Sequence, residues 1–249
     1  MIAFLQNLRA ARRTDPTMIG PYLRVRTRRP PFGRALRVLD RSRFEFMAGE
    51  ILCQGHYRFD TDNSAPLILD CGSNIGLSIA YFHHRHPGAR IVGFEPDPAA
   101  FAALSENTAG LPNVEVINAA LSREEGETDL WYTPGTDGSL TRSTIARRGG
   151  PERRAVRTVR LSDWIAGPVS FLKLDVEGAE HDVLDNLVET GAINHVQRMT
   201  IEYHHPLDRR LSTFLRRLED ADFDYRLTAS ASIEEATQDV LLYCTRKQA

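Results

Sequence analysis

Between residues 67 and 121 the chain alternates short apolar runs with longer stretches whose apolar positions recur every three or four residues. "LILD" at 67–70, "RIVGFE" at 90–95 and "VEVIN" at 114–118 have the length and composition of strands. "LSIAYFHHRH", stopped by Pro87, and the stretch opened by Asp97 as a cap with Pro98 in its first turn read as helices. This βαβαβ order predicts a parallel sheet with helices on its faces. The pattern resumes with "FLKLD" at 171–175 and a helix over 180–190. That helix places Val183, Leu184, Leu187 and Val188 on one side and Gly191 at its end. Then come "VQRMTIEY" at 196–203, a helix near 208–221, and the runs "DYRLT" and "DVLLYC". The whole predicts an α/β fold with a doubly wound, mostly parallel, seven-stranded Rossmann-like sheet, its last two strands forming a hairpin-like edge.

Outside this pattern lie two further segments. Residues 1–65 form an N-terminal extension, expected to hold an amphipathic first helix and short strands at "YLRVRT" and "RFEF", separated by "RRPPFGR". "DTDNSAP" at 60–66 reads as a linker, so residues 66–249 form the ligand-binding domain. The polar stretch "WYTPGTDGSLTRSTIARRGGPERR" is too long for a tight connection. It is expected to be either a flap over the site, its arginines meeting a phosphate or carboxylate, or a surface excursion.

Composition narrows the class. The 249 residues are 42% hydrophobic and 26% charged, which fits a globular protein with one sizeable core and argues against disordered and membrane-spanning classes. The opening "MIAFLQNLRAARR" is broken by Gln6, Asn7 and Arg9, so neither a signal peptide nor a spanning helix is expected there. Cys53, Cys71 and Cys244 form no CxxC pair, which argues against a disulfide framework or a zinc site and fits a reducing cytoplasm. Net charge is −2, yet residues 1–50 hold eleven arginines against four acids, about +7. That stretch could meet nucleic acid, an anionic membrane surface, an acidic substrate or a second copy of the chain in a homo-oligomer, and could equally be a solvated face. Arginine outnumbers lysine 29 to 2 overall, so nucleic acid is not favoured on this ground.

The candidate chemistry starts at "LILDCGSNIGLS". At the carboxyl end of a first strand, glycines let the backbone approach a ligand while the next helix offers free N–H groups. Gly72 and Gly76 do not make GxGxxG, and no GK[ST] follows, so neither a dinucleotide nor a nucleoside triphosphate is indicated. Asn74 tolerates a left-handed backbone where glycine is otherwise needed. Asp70 before the turn suits a ligand bearing an ammonium, and Glu95, followed by Pro96 at the end of the second strand, can accept from both ribose hydroxyls. Asn118 and the backbone of Ala119 and Ala120 would lie by the adenine. S-adenosylmethionine has these parts. The plainer alternatives are a helix-capping Asp70 and a surface Glu95.

"LDCGSNIGLS", "GFEPDP", "VINAALS", "TVRLSDWI" and "FLKLDVEGAEHDVL", in this order, resemble the FkbM family of S-adenosylmethionine-dependent methyltransferases across about residues 66–205. The resemblance implies a class I methyltransferase fold, S-adenosylmethionine as donor, and O-methylation of a hydroxyl on a saccharide, glycolipid or secondary metabolite. Carried over, the cofactor residues are Asp70, Gly72, Asn74, Gly76, Glu95 and Pro96, with Asn118 and Ala119. Residues 1–50 and the chain end match nothing in that pattern, so the small-molecule or glycan acceptor is not specified.

For proton handling the sequence offers Asp175 at the end of the fourth parallel strand, Glu177 two residues on, and His204 in "IEYHHP". Glu177 and Glu180 also suit a helix start without any catalytic role. Asp175, Glu202 and His204 could form a cation-binding set, but strand alternation argues against all of them converging, so a metal is not favoured, and whether a divalent ion is needed stays open. The histidines at 83–86 read as structural. Two rivals stand beside O-methylation: N- or C-methyl transfer on the same fold, and a noncatalytic nucleotide-binding or scaffolding module.

Overall fold

The computed structural model describes residues 2–135, 143–144, 149–205, 209–229 and 240–247. Its main sheet follows the apolar runs. β1 (Leu67–Cys71), β2 (Arg90–Phe94) and β3 (Val114–Ile117) are parallel and joined by α4 (Leu77–Arg85) and α5 (Pro98–Thr108). β7 (Phe171–Leu174) pairs with the other side of β1, and β8 (Arg198–Tyr203) follows it across α6 (Glu180–Glu189). The strand order is β3-β2-β1-β7-β8-β10-β9, so the order reverses between β1 and β7. β9 (Phe223–Ala229) and β10 (Val240–Arg246), separated from β8 by α7 (Leu211–Asp220), close the edge, β10 running antiparallel to both neighbours.

Local chemistry accounts for these boundaries. The Asp97 carboxylate accepts from the Ala100 amide and Pro98 occupies the first turn of α5, as the sequence indicates. Gly191, at φ 73°, ends α6 in the left-handed region. Strand alternation divides the side chains between two cores. Leu69 and Cys71 face Val183, Leu184 and Leu187 of α6 and Phe214 and Leu218 of α7. Ile68 and Phe171 face the opposite layer, with α4 and α5. Each large apolar side chain buried this way contributes about 1.5–3 kcal/mol.

The N-terminal extension differs from expectation. Among its described residues there is no strand: α1 (Ile2–Thr14), α2 (Ile19–Arg26) and α3 (Arg41–Ala48) are helices, and a π-type turn, Gly49–Gln54, continues α3. "YLRVRT" buries Tyr22 and Val25, three positions apart, which is helical spacing and not alternation. These helices share one core with the sheet: Met18, Phe44, Leu52 and Phe59 pack in the same cluster as Ile79 and Phe82 of α4.

The polar stretch after β3 is also more ordered at its ends than a flap. β4 (Ala120–Leu121), β5 (Gly126–Tyr132) and β6 (Glu152–Val159) form a second sheet of order β4-β6-β5. Residues 136–142 and 145–148, on which the flap reading depends, lie outside the described residues, as does Asp208 at the expected start of α7. Among the described residues no helix is long and apolar enough to cross a membrane, and all three cysteines are free and buried.

Candidate active site

The carboxyl ends of β1, β2, β7 and β8 meet at one edge of the sheet, at the reversal in strand order where such folds bind ligands. A cavity opens there. One half is lined by the β1–α4 loop and the end of β2, the other by β7, β8 and the N-terminal helices.

In the first half, Gly72 has φ 86°, and a Cβ there would overlap the Asp175 carbonyl oxygen, so glycine is needed for this close approach. Asn74 does adopt the left-handed backbone, at φ 48°. Glu95 is buried to 7% exposure; its Oε2 accepts from the Asn74 amide at 2.9 Å and its Oε1 from the Asp97 amide at 2.8 Å. Each oxygen keeps a lone pair toward the cavity. Burial pushes this carboxyl up to about 7, against the two backbone bonds. Pro96 and Ala119 line the same half.

Three expected cofactor residues sit behind this surface. Asp70 does not reach the cavity wall. Its Oδ2 accepts from Ser78 at 2.6 Å, and its Oδ1 lies 3.5 Å from Lys173 Nζ, because strand register sets Asp70 opposite Lys173. The position expected to meet a ligand ammonium is thus taken by the protein's own. Gly76, at φ 88°, admits Leu104 of α5 against the turn. Asn118 donates to the carbonyls of Glu95 at 2.8 Å and Pro96 at 3.3 Å, holding the end of β2.

Lys173, which the sequence reading passed over, is the hub between the two halves. Its buried ammonium donates to the Gly72 carbonyl at 2.6 Å and pairs with Asp175 Oδ2 at 2.9 Å. Burial alone would depress it, but Asp175 and Asp70 more than offset that and hold it above its ordinary value.

The second half is acidic. Asp175, Glu177 and Glu202 line it, joined by Glu50 from the π-type turn. Burial, with Asp175 adding to it, raises Glu50 to about 7 and Glu202 to about 8. His204 is 2% exposed; its Nδ1 contacts Glu180 Oε1 at 2.9 Å, and its Nε2 faces Glu177 Oε2 at 3.5 Å, Asp175 Oδ1 at 3.9 Å and Glu202 Oε1 at 4.0 Å. The expectation that these groups diverge therefore fails: Glu202 and His204, two residues apart, share a side, while Tyr203 between them bonds His181 on the other. Burial would lower the His204 imidazole, yet Glu177 and Glu180 outweigh it and raise it well above its usual range. Glu180 is no surface charge at a helix start. It is fully buried, and its Oε1 also accepts from the Val176 and Gly178 amides. Phe46, Met47 and Tyr57 add apolar wall. The histidines at 83–86 lie outside the cavity, His84 against Phe32 and His86 against Phe59.

Comparison with known proteins places this geometry. Residues 70–227 match the methyltransferase FkbM domain family. "Methyltransferase sdnD" of Sordaria araneosa is 30% identical over 179 residues, covering 58% of this chain and 69% of that protein. "2-O-methyltransferase NoeI" of Sinorhizobium fredii is 31% identical over 144 residues, covering 50% of this chain and 58% of that one. Among solved structures, the methyltransferase FkbM of Methylobacillus flagellatus aligns with a TM-score of 0.50 at 18% identity, over 76% of this chain and 45% of its own. That likeness carries the fold. The chain, with its doubly wound sheet and a cavity at the reversal in strand order, belongs to the FkbM methyltransferase family.

Proposed function

We propose that this chain transfers a methyl group from S-adenosylmethionine to a hydroxyl of a saccharide, glycolipid or secondary metabolite. The observation that carries the reading is the cavity at the reversal in strand order, lined by Gly72, Asn74 and Glu95 on one side and by the carboxylates of Asp175, Glu177 and Glu202 on the other. The donor half fits its ligand in a specific respect. Glu95 is fixed by two backbone amides with lone pairs left for two adjacent hydroxyls, as a ribose presents. Lys173 occupies Asp70, so Asp70 acts as a positioning residue beneath the loop.

Bound there, S-adenosylmethionine supplies a methyl on a good leaving group, so positioning and exclusion of water supply most of the catalysis. Asp175 is the residue placed to orient the acceptor: Lys173 holds its Oδ2, leaving Oδ1 toward the cavity to accept the hydroxyl proton. Glu50, Phe46 and Met47 bring the N-terminal helices into the acceptor half. The name of NoeI supports oxygen as the accepting atom.

Calorimetric titration with S-adenosylmethionine tests the donor half. Wild-type protein should bind it and not NAD, and Glu95→Ala should weaken binding by about 1.5–3 kcal/mol, the worth of a hydrogen bond to a charged group. No binding of either ligand would overturn the proposal. Mass spectrometry of a panel of hydroxylated and aminated acceptors, seeking a gain of one methyl group, then separates oxygen from nitrogen.

A further inference from the structure

We propose that the acceptor half holds a divalent cation of the magnesium and manganese class, bound by Asp175 Oδ1, Glu177 Oε2 and His204 Nε2, the ion displacing the Nε2 proton to solvent. It rests on the methyl-transfer reading, with Asp175 Oδ1 then acting on the acceptor through the ion, which would polarise and orient the hydroxyl, in place of taking its proton directly.

The three donor groups converge, with all the ligand atoms within 4.8 Å of one another. His204 is the decisive member. Its side chain is almost fully buried, and Nε2 faces carboxylate oxygens 3.5, 3.9 and 4.0 Å away. Those separations exceed the roughly 2.7–3.2 Å of a good N–H···O bond. They match the ~3–4 Å between donors that share a cation at bonds of about 2.1–2.4 Å.

Two of the donors are braced from behind. Glu180 engages His204 Nδ1 at 2.9 Å, which fixes the ring and presents Nε2, the arrangement by which a carboxylate orients a metal-binding histidine. Lys173 engages Asp175 Oδ2 at 2.9 Å, which presents Oδ1. Two carboxylates and one imidazole form an oxygen-majority set, which suits magnesium or manganese better than a thiophilic ion.

The test is Mn2+ uptake by the metal-stripped full chain, read from loss of the free-ion electron paramagnetic resonance signal, with S-adenosylmethionine binding measured by calorimetry on the same sample. The expected result is one Mn2+ per chain, weakened at least about tenfold in Glu177→Gln and in Glu180→Gln, the latter a residue that orients a ligand without touching the ion. Glu177 is partly exposed, so its variant tests the site even if buried substitutions fail to fold. Saturation only in the millimolar range, or uptake unchanged in Glu177→Gln, overturns the site and leaves a metal-free cluster of ion pairs. Cofactor binding without Mn2+ uptake overturns the cation alone. Mn2+ uptake without cofactor binding overturns the methyl-transfer reading and leaves the cation site standing.

Discussion

Lys173 is one of two lysines in the chain, and it is buried in a central strand between apolar neighbours. A charge taken out of water there is tolerated only when paired, and its partners are Asp70 and Asp175. Replacing it by methionine should cost about 3–5 kcal/mol, because Asp70 is then left buried and uncompensated. Urea unfolding would measure this, and Lys173→Met combined with Asp70→Asn should recover part of the loss; no recovery would mean that the pair is not coupled. The lone lysine in "FLKLD" was a readable signal, since rarity and an apolar setting together mark a paired charge. The place of Glu95 at the end of β2, on the cavity wall, was legible by spacing. Asp70's actual partner was not, because strand register across a hundred residues decides it. Glu95 carries a pH prediction. Its carboxyl is raised to about 7, chiefly by burial. Its contribution to the free protein's stability is thus full below the ordinary carboxylate range and is lost as pH rises toward 7. Cofactor binding runs the other way, because ribose hydroxyls donate to the ionised form. Affinity for S-adenosylmethionine should improve roughly tenfold from pH 6 to pH 8, the change in the ionised fraction of one such group. Calorimetry at the two pH values on wild type and Glu95→Gln checks it; an equal improvement in the variant would assign the effect to another group.

At the scale of elements, the sequence predicts best where period and caps agree. Asp97 with Pro98 fixes the start of α5, Pro87 follows the end of α4, and Gly191 closes α6; all three appear where the residues indicate. The misses share a cause. α2 and α3 are eight residues each and arginine-rich, so two buried positions had to carry the signal and alternation mimicked a strand. β5 and β6 were hidden because "GETDLWY" and "ERRAVRTV" mix charges into a small sheet exposed on one side. The contact between the β1–α4 loop and the end of β7 is likewise tertiary. Gly72 lies against the Asp175 carbonyl, and no local pattern announces it. Gly72→Ala should push the two segments apart and strain a left-handed position. An expected loss of about 2–4 kcal/mol in stability, with cofactor binding abolished, follows from combining backbone strain and a core clash. Thermal unfolding and calorimetry of the variant check both parts, and near-normal binding would mean that the loop can move without cost.

Over the whole molecule, the arginine-rich extension and the acidic chemistry are one unit. Residues 1–50 are about +7 while the full chain is −2. Yet the extension's apolar side chains share a core with α4, and its Glu50 reaches the cavity beside Asp175. A ligand filling that cavity touches the β1–α4 loop, the end of β2 and β7, whose residues lie in or against both main cores. Binding should therefore stabilise the helical layer and the sheet together. At a cofactor concentration one hundred times its dissociation constant, linkage gives about 2.7 kcal/mol. For a chain of this size that is a rise of roughly 5–10 °C in Tm. Differential scanning calorimetry should show one transition moving up by that amount, and a much smaller shift in Glu95→Ala at the same concentration. Two transitions, with only the higher one responding to the cofactor, would mean that the N-terminal helices unfold apart from the sheet. The shared core at Phe44, Leu52 and Phe82 would then not be what holds the extension in place.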